Sequence, residues 1–470
     1  MMNTTCQPPP PPPPNGHIFD VIIVGAGVVG SALATTLGNQ GRSVLLLERD
    51  FREPDRIVGE LLQPGGMKCL RELGLQSCVE GIDAVPVLGY EVIYHGDQVT
   101  IPYIKSNKEN SEGRSFHHGK FVMSLRSAAL RTRNVSAVEA NVTNLVRNKY
   151  TSRIIGVECK RSGESHLSHF FGRLNIVVDG CFSKFRRQVL QGSPQVRSHF
   201  VGMVLKDAPL PSPNFGHVVI GNQAPVLLYQ IGSRDTRILV DVPGKLPSAS
   251  DGSLSKYLHA NVLKELPSQL HESFLLALSS ERLRTMPNSF LPSSFSQQKG
   301  VAILGDAMNM RHPLTGGGMT VGLHDAVLIS RLLSPEVVPD LNDCDLVLSQ
   351  LRKLHHQRKQ LSSVINVLAQ ALYSLFAAND KRLRALQLGC FRYFQLGGPC
   401  INGPVGLLSG ITRRPFLLLF HFFAVALYAI YLMFASAYVY MYPSLVAESV
   451  GVFWKACTVI LPFVWAEVSG

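Results

Sequence analysis

The chain has 470 residues, with 45 lysines and arginines against 33 aspartates and glutamates and a net charge of +12. Only 17% of its residues are charged and mean hydropathy is +0.14, so roughly two or three domains fit and part of the chain is expected to leave water. Nucleic acid is excluded as a partner, because no run of five basic residues occurs and the aromatics are not interleaved with Lys and Arg; the basic excess is assigned to an anionic membrane face or an acidic protein.

Nine scattered cysteines without a CxxC pair are read as reduced, cytosol-facing thiols, with no metal site. Residues 1–17 are expected to be a disordered tail in which residues 8–14 form a polyproline II spacer. No signal peptide is visible ahead of the first apolar run. That run, residues 21–24, reads as a parallel strand buried on both faces. Gly25-x-Gly27-x-x-Gly30 follows, and a second apolar strand at 44–47 ends at Glu48. In such a βαβ unit the first glycine bends the chain, the second lets backbone approach a pyrophosphate, and the third packs helix against sheet. The acid reaches a ribose. NAD, NADP and FAD all fit this half-site; a glycine-rich turn without a ligand is the bland alternative.

Next, Arg56-Ile-Val-Gly59-Glu60 leads through Gly66 into a helix ending near Leu73. Strand-like alternation covers residues 85–125 and resumes over 196–243, where residues 226–231 and 237–242 flank Gly232-Ser-Arg-Asp235 as a hairpin. Between them a helix is expected to begin at Met123-Ser-Leu-Arg126, and residues 174–178 form another buried strand. The strand at 300–304 then runs into Gly305-Asp306, and Gly316-Gly317-Gly318-Met319 opens a helix that continues to Leu333. An aspartate at a strand end accepts from ribityl hydroxyls. Successive amides of the glycine nest, backed by the helix dipole, suit the negative charge of a flavin N1/O2 edge. This second half-site narrows the dinucleotide to FAD.

Together these stretches resemble the squalene monooxygenase (squalene epoxidase) family of flavoprotein monooxygenases. The resemblance rests on residues 24–33, 53–60, 62–66, 113–119, 179–186, 304–307, 309–320, 368–373, 403–408 and 421–426, and spans about residues 18–466. It implies an α/β (α+β) fold. A Rossmann-type FAD-binding domain of the aromatic-hydroxylase-like fold comes in three parts (18–84, 126–195, 291–335), interleaved with a β-sheet substrate domain in two (85–125, 196–290). A helical segment (336–412) and membrane-anchoring helices (413–470) follow.

The reaction so implied is epoxidation of squalene to (S)-2,3-oxidosqualene in sterol biosynthesis, using O2 and a C4a-hydroperoxyflavin, since no side chain supplies an electrophilic oxygen. Only one complete dinucleotide fingerprint is present, so electrons from NADPH are expected through a separate NADPH–cytochrome P450 reductase. For FAD the resemblance implies Val28 and Val29 beside the glycines, with Glu48, Arg49, Arg56, Leu61, Arg126, Val142, Asp306 and Met319. Tyr90 is expected beside the flavin as an orienting hydrogen-bonder. Tyr229, Pro313, Leu314, Phe376, Phe391, Phe394, Leu407 and His421 are expected to line an apolar substrate channel. Two rivals share the FAD motifs: a membrane-bound hydroxylase or reductase of quinones or polyprenyl lipids, and a non-catalytic prenyl-lipid escort protein.

Residues 416–442 contain no charge and as one helix would measure about 40 Å, against roughly 30 Å of hydrocarbon. Arg413 and Arg414 ahead of it place that end on the cytosolic side. The stretch 450–465, interrupted by Lys455 and Pro462, reads as interfacial or as a hairpin partner. The resemblance implies monotopic anchoring among the lipids of the endoplasmic reticulum membrane.

Overall fold

The computed structural model describes residues 16–106, 109–161, 163–164, 166–223, 225–280 and 282–469; the proline tract and Cys6 lie outside these. The first apolar run forms the strand Ile18–Val24, at the middle of a parallel layer. Val44–Glu48 pairs on one side and the second half of Leu167–Val177 on the other. The first half of Val135–Arg147 and the strand Val301–Ile303 complete the layer. In chain order the strands therefore lie third, second, first, fourth, fifth. This doubly wound order reverses between Ile18–Val24 and Leu167–Val177, and a ligand seats at such a reversal. Helices cover the layer, and Ile22, Ile23, Leu45 and Leu46 are wholly buried. The remaining halves of the two long strands pair with Ile154–Arg161 in an antiparallel extension.

A second sheet has seven strands, in the order Arg284–Phe290, Gln195–Lys206, Asp235–Pro243, Val226–Gln230, Phe215–Ile220, Gly89–Tyr94 and Asp97–Pro102. All pairs are antiparallel except Phe215–Ile220 with Gly89–Tyr94. His95 and Gly96 both take positive φ, 48° and 94°, as a two-residue hairpin turn of this hand requires. One face of the sheet buries Leu254, Leu258 and Phe274 of the following helices. The other face, with Tyr90, Phe200 and Tyr229, meets the C-terminal helices. Between the two sheets, Leu61–Leu62 and Val85–Val87 flank Gly113–Ser115 in a small sheet of their own.

Three local expectations are corrected. The helix after Gly113–Ser115 spans His118–Arg131, starting before Met123. Its buried stripe already begins at Phe121, Val122 and Leu125, so an earlier turn is needed to present it. The first C-terminal apolar helix is Pro415–Ala435, 21 residues and about 31 Å, not the full 416–442 stretch. The chain turns there so that a second helix, Tyr442–Ser469, packs back against the first. That second helix is the hairpin partner of the first, but it runs unbroken through Lys455 and Pro462, and the Lys455 charge is met by Asp380 at 2.7 Å. Both helices are long and apolar enough to cross a membrane.

Candidate active site

A cavity of about 750 Å³ runs between the parallel layer and the seven-stranded sheet. Its wall holds Gly25, Gly27, Val28, Val29, Glu48, Arg49, Arg56, Leu61, Arg126, Val142, Asp306, Gly316, Gly318 and Met319, together with Tyr90, Tyr229, Pro313 and Leu314. Residues expected from three distant parts of the chain thus share one space. Gly30 and Gly317 do not line it. A Cβ on Gly30 would stand 1.9 Å from the Gly25 carbonyl oxygen, so this glycine packs beneath the turn. A Cβ on Gly317 would stand 2.4 Å from Ile365, so it seats the nest on the long helix Cys344–Phe376.

The glycine turn shows why each residue is small. Gly25 has φ +108°, and a Cβ there would lie 2.6 Å from the Val178 carbonyl oxygen; only glycine is tolerated. Around Gly27 and Gly318 an added Cβ meets nothing within 4 Å, so the protein leaves room on the cavity side at both motifs. Glu48 is tied to the turn: Ala26 N–H donates to its Oε2 at 2.8 Å and Arg49 N–H to its Oε1 at 3.0 Å. Arg126 is buried, donates through Nε to the Ala26 carbonyl (2.8 Å) and through Nη1 to the Arg52 carbonyl (2.9 Å), and stands 3.5 Å from Glu48 Oε2. Its charge is therefore fixed at the rim of the turn, where a diphosphate would lie.

At the second motif, His312 Nδ1 accepts the Leu314 N–H at 3.3 Å, Gly316 takes φ +61°, and the helix Gly318–Leu332 begins. The Gly316 N–H is taken by the Pro313 carbonyl at 3.0 Å, so the nest's contribution at the cavity rests on the positive helix end at Gly318, which lines it. Asp306 is exposed in the cavity wall. Beneath the nest lies a buried network. Gln63 Nε2 donates to the Tyr90 hydroxyl and to the Thr315 carbonyl (2.7 Å), and Tyr103 donates to Gln63 Oε1 at 2.6 Å. Burial pushes the Tyr90 phenol above its ordinary pKa, with the Gln63 and Tyr103 hydrogen bonds opposing, so it remains a neutral donor.

Sequence reasoning passed over Gln63, Glu60 and Arg237. The last two form a buried ion pair, with Tyr229 donating to Glu60 Oε2 at 3.1 Å. Burial, and then the Glu60 charge, push the Tyr229 phenol well above its ordinary range. Glu60 and Gln63 stood inside the Gly59-Glu60-Leu61-Leu62-Gln63-Pro64 stretch, which was their only signal.

The other expected channel residues lie deeper. Phe376, Phe391, Phe394 and Leu407 belong to the apolar cluster that also contains Tyr90, Tyr229 and Leu314, and they do not line the cavity itself. His421 pairs through Nδ1 with the Tyr393 hydroxyl at 2.9 Å and faces a separate recess with Arg413 and Arg414.

A family model described as squalene epoxidase matches residues 171–446. The chain is 52% identical over 452 residues to a squalene epoxidase of Aspergillus fumigatus, across 95% of this chain and 93% of that one. It is 47% identical over 453 residues to a squalene monooxygenase of Mus musculus, across 96% and 78%. Among solved structures, a p-nitrophenol 4-monooxygenase of Pseudomonas putida aligns with a TM-score of 0.69 at 16% identity, over 84% of this chain and 99% of that one. A probable FAD-dependent monooxygenase of Pseudomonas aeruginosa aligns with a TM-score of 0.64 at 21% identity, over 77% and 97%. These last two likenesses are of fold.

Proposed function

This chain belongs to the squalene epoxidase family and is an FAD-dependent monooxygenase that epoxidises squalene, and on that premise we propose how its residues divide the work. One observation carries the assignment of roles: Asp306, Gly27 and Gly318 share a single cavity with Tyr90, Tyr229 and Leu314. The open space at Gly27 and Gly318 fits a dinucleotide laid along both motifs. Bound FAD, with O2, supplies the electrophilic oxygen that no side chain provides.

The chain's own residues then bind, orient and exclude water. Gly25, Gly27, Val28 and Val29 carry the adenosine side, with Glu48 and Arg49 at the ribose and Arg56 and Arg126 balancing diphosphate charge. Leu61, Val142 and Met319 pack the rings, and Asp306 accepts from the ribityl hydroxyls. The amides at 317–318, with the helix end behind them, stabilise negative charge on the flavin edge; the Gly316 N–H is held by the Pro313 carbonyl. Tyr90 offers its neutral hydroxyl as an orienting donor. Tyr229, Pro313 and Leu314 form the near wall of the squalene site. Phe376, Phe391, Phe394 and Leu407 back that wall within the same apolar cluster, each buried CH2 contributing about 0.8 kcal/mol, while His421 stands at the separate recess beside Arg413 and Arg414.

Electrons are proposed to come from NADPH through a separate NADPH–cytochrome P450 reductase, whose acidic face the net charge of +12 suits. The C-terminal helices seat the enzyme on endoplasmic reticulum lipids, with Arg413 and Arg414 on the cytosolic side. Family membership disfavours the quinone-directed and escort readings. Incubation with squalene, FAD, NADPH, O2 and reductase, followed by product analysis, is the test. Flavin-loaded protein that forms no (S)-2,3-oxidosqualene would refute the assignment.

A further inference from the structure

Behind the Pro313-Leu314 corner lies a polar cluster that reaches the second motif only through His312. Asp241, on Asp235–Pro243, is 1% exposed. Ser198 Oγ donates to its Oδ1, Asn288 Nδ2 donates to the same oxygen at 3.0 Å, and the Tyr373 hydroxyl donates to Oδ2 at 3.1 Å. His312 Nε2 stands 3.5 Å from Oδ1 and 3.2 Å from Ser198 Oγ, and its ring stacks on Tyr373 with centroids 3.9 Å apart. The other ring nitrogen is committed. A backbone N–H only donates, so Nδ1, which accepts from Leu314, carries no proton and Nε2 carries it. Burial lowers the His312 pKa and outweighs the opposing pull of Asp241, which keeps the ring neutral.

Serine, histidine and aspartate together suggest a hydrolytic triad, but the arrangement is wrong for one. Ser198 gives its proton to Asp241 rather than to the ring, and none of the three lines the cavity. The cluster instead joins three bodies. Ser198, Asp241 and Asn288 stand on the seven-stranded sheet, Tyr373 on the long helix, and His312 on the corner that ends in the glycine nest. Pro313 and Leu314 line the cavity, and the Thr315 carbonyl holds Gln63 under Tyr90. The ring thus passes the position of the substrate sheet to the corner that carries the flavin-side amides.

We infer that Asp241 and His312 are a positioning pair that sets the spacing between the substrate sheet and the flavin-side corner, and so decides how much of the enzyme's electron supply ends in epoxide. The inference rests on the epoxidase reading. NADPH gives two electrons and O2 accepts them in either outcome. With transfer, one oxygen atom enters the alkene and the other leaves as water. Without it, both leave together as hydrogen peroxide and the alkene is unchanged.

Two substitutions at one position separate the ring's two bonds. His312→Asn keeps an acceptor near the place of Nδ1, in the local turn geometry that asparagine favours, but loses the reach to Asp241. His312→Gln keeps a donor near the place of Nε2 and loses the corner bond. Full-length detergent-solubilised protein, loaded with FAD and supplied with reductase, is assayed for epoxide formed per NADPH consumed, for peroxide, and for the absorbance of bound flavin. His312→Asn and Asp241→Asn are expected to keep their flavin and their KM for squalene while epoxide per NADPH falls on the order of tenfold; His312→Gln retains most of the coupling. Wild-type coupling in His312→Asn and Asp241→Asn, or equal losses in the Asn and Gln variants at 312, overturns the inference. So does failure of both Asn variants to hold flavin, which would make the cluster a folding element only. Wild-type protein is measured first: no oxidosqualene there defeats the epoxidase reading, whereas normal wild-type turnover with fully coupled variants defeats the positioning pair alone.

Discussion

Arg237 lays its guanidinium across the Glu60 carboxylate, with Nη2 2.7 Å from Oε1 and Nε 2.9 Å from Oε2, and both side chains are buried. The pair ties the loop ahead of Leu61–Leu62 to the seven-stranded sheet. Removing one partner strands a charge in the interior, so Glu60→Gln and Arg237→Met are each expected to cost about 3–5 kcal/mol. Replacing both by apolar residues costs less than either single change. Denaturant melts of the three variants check this; a double variant no more stable than the singles would contradict it.

Tyr90→Phe removes the hydroxyl that meets Gln63 and lies 3.4 Å from the Thr315 carbonyl. Leaving those buried groups short of a partner costs about 1–3 kcal/mol of stability. Flavin content should not change. kcat/KM for squalene should fall about tenfold, equivalent to about 1.4 kcal/mol of transition-state stabilisation. Unchanged kcat/KM would return Tyr90 to the rank of a core residue.

The two ends of the cofactor site respond differently. Gly25→Ala forces a Cβ onto the Val178 carbonyl at φ +108°, and should destabilise the protein whether or not flavin is present. Gly27→Ala has open space and φ −79°, so the apoprotein should melt normally yet bind flavin poorly. Asp306→Ala should lose flavin on gel filtration. A fully yellow Asp306→Ala protein would remove that residue's assigned role.

What could be read from sequence was local. The glycine turn, the run through Asp306 to Met319 and the apolar strands each announce themselves within a few consecutive residues, because backbone geometry and strand burial impose the residue types directly. What escaped depended on distant partners. Glu60 meets Arg237 across 177 positions, and Asp241 meets His312 only after the two sheets close. No spacing rule encodes either. The end of the helix Pro415–Ala435 was hidden for another reason: the composition stays apolar through Tyr442, and only packing of the second helix against the first decides where the chain turns.

Acid should weaken the fold through three rings, one of them His118, whose pKa burial lowers from 6.5 to about 4. His217 and His324 are buried, and their pKa values are lowered from 6.5 to about 4. Burial is the main cause in both; for His324 the Arg413 guanidinium, with Nη1 2.8 Å from Nε2, adds to it. The unfolded chain protonates these rings near pH 6.5 and the folded chain only near pH 4. Between those values the unfolded state binds more protons, so stability falls as pH drops through the window. Above it these rings contribute no slope. Denaturant midpoints measured across the window should decline toward acid, and His217→Phe should flatten the decline. An unchanged slope in that variant would assign the acid sensitivity elsewhere.

The C-terminal helices are one-sided. On Pro415–Ala435 the residues Leu418, Phe422, Val425, Ala426 and Ala429 are buried against the protein, while Phe416, Phe420, Leu427 and Tyr431 are exposed along the opposite face. On Tyr442–Ser469, Val452, Ala456 and Ile460 are wholly buried while Val450, Trp454, Leu461 and Trp465 are exposed. An apolar face of this extent needs lipid, whereas the inner face is ordinary core. Burial of a side chain such as Leu418 or Phe422 contributes about 1.5–3 kcal/mol, so deleting residues 415–470 removes on the order of 10 kcal/mol, comparable with the whole stability of a domain. Truncation should therefore yield aggregated, colourless protein rather than a soluble enzyme. Polar replacement of Phe416, Phe420, Leu427 and Tyr431 should instead release yellow protein from membranes, read by vesicle flotation. Quadruple-variant protein that still floats with vesicles as wild type does would show that these four residues are not the membrane contact.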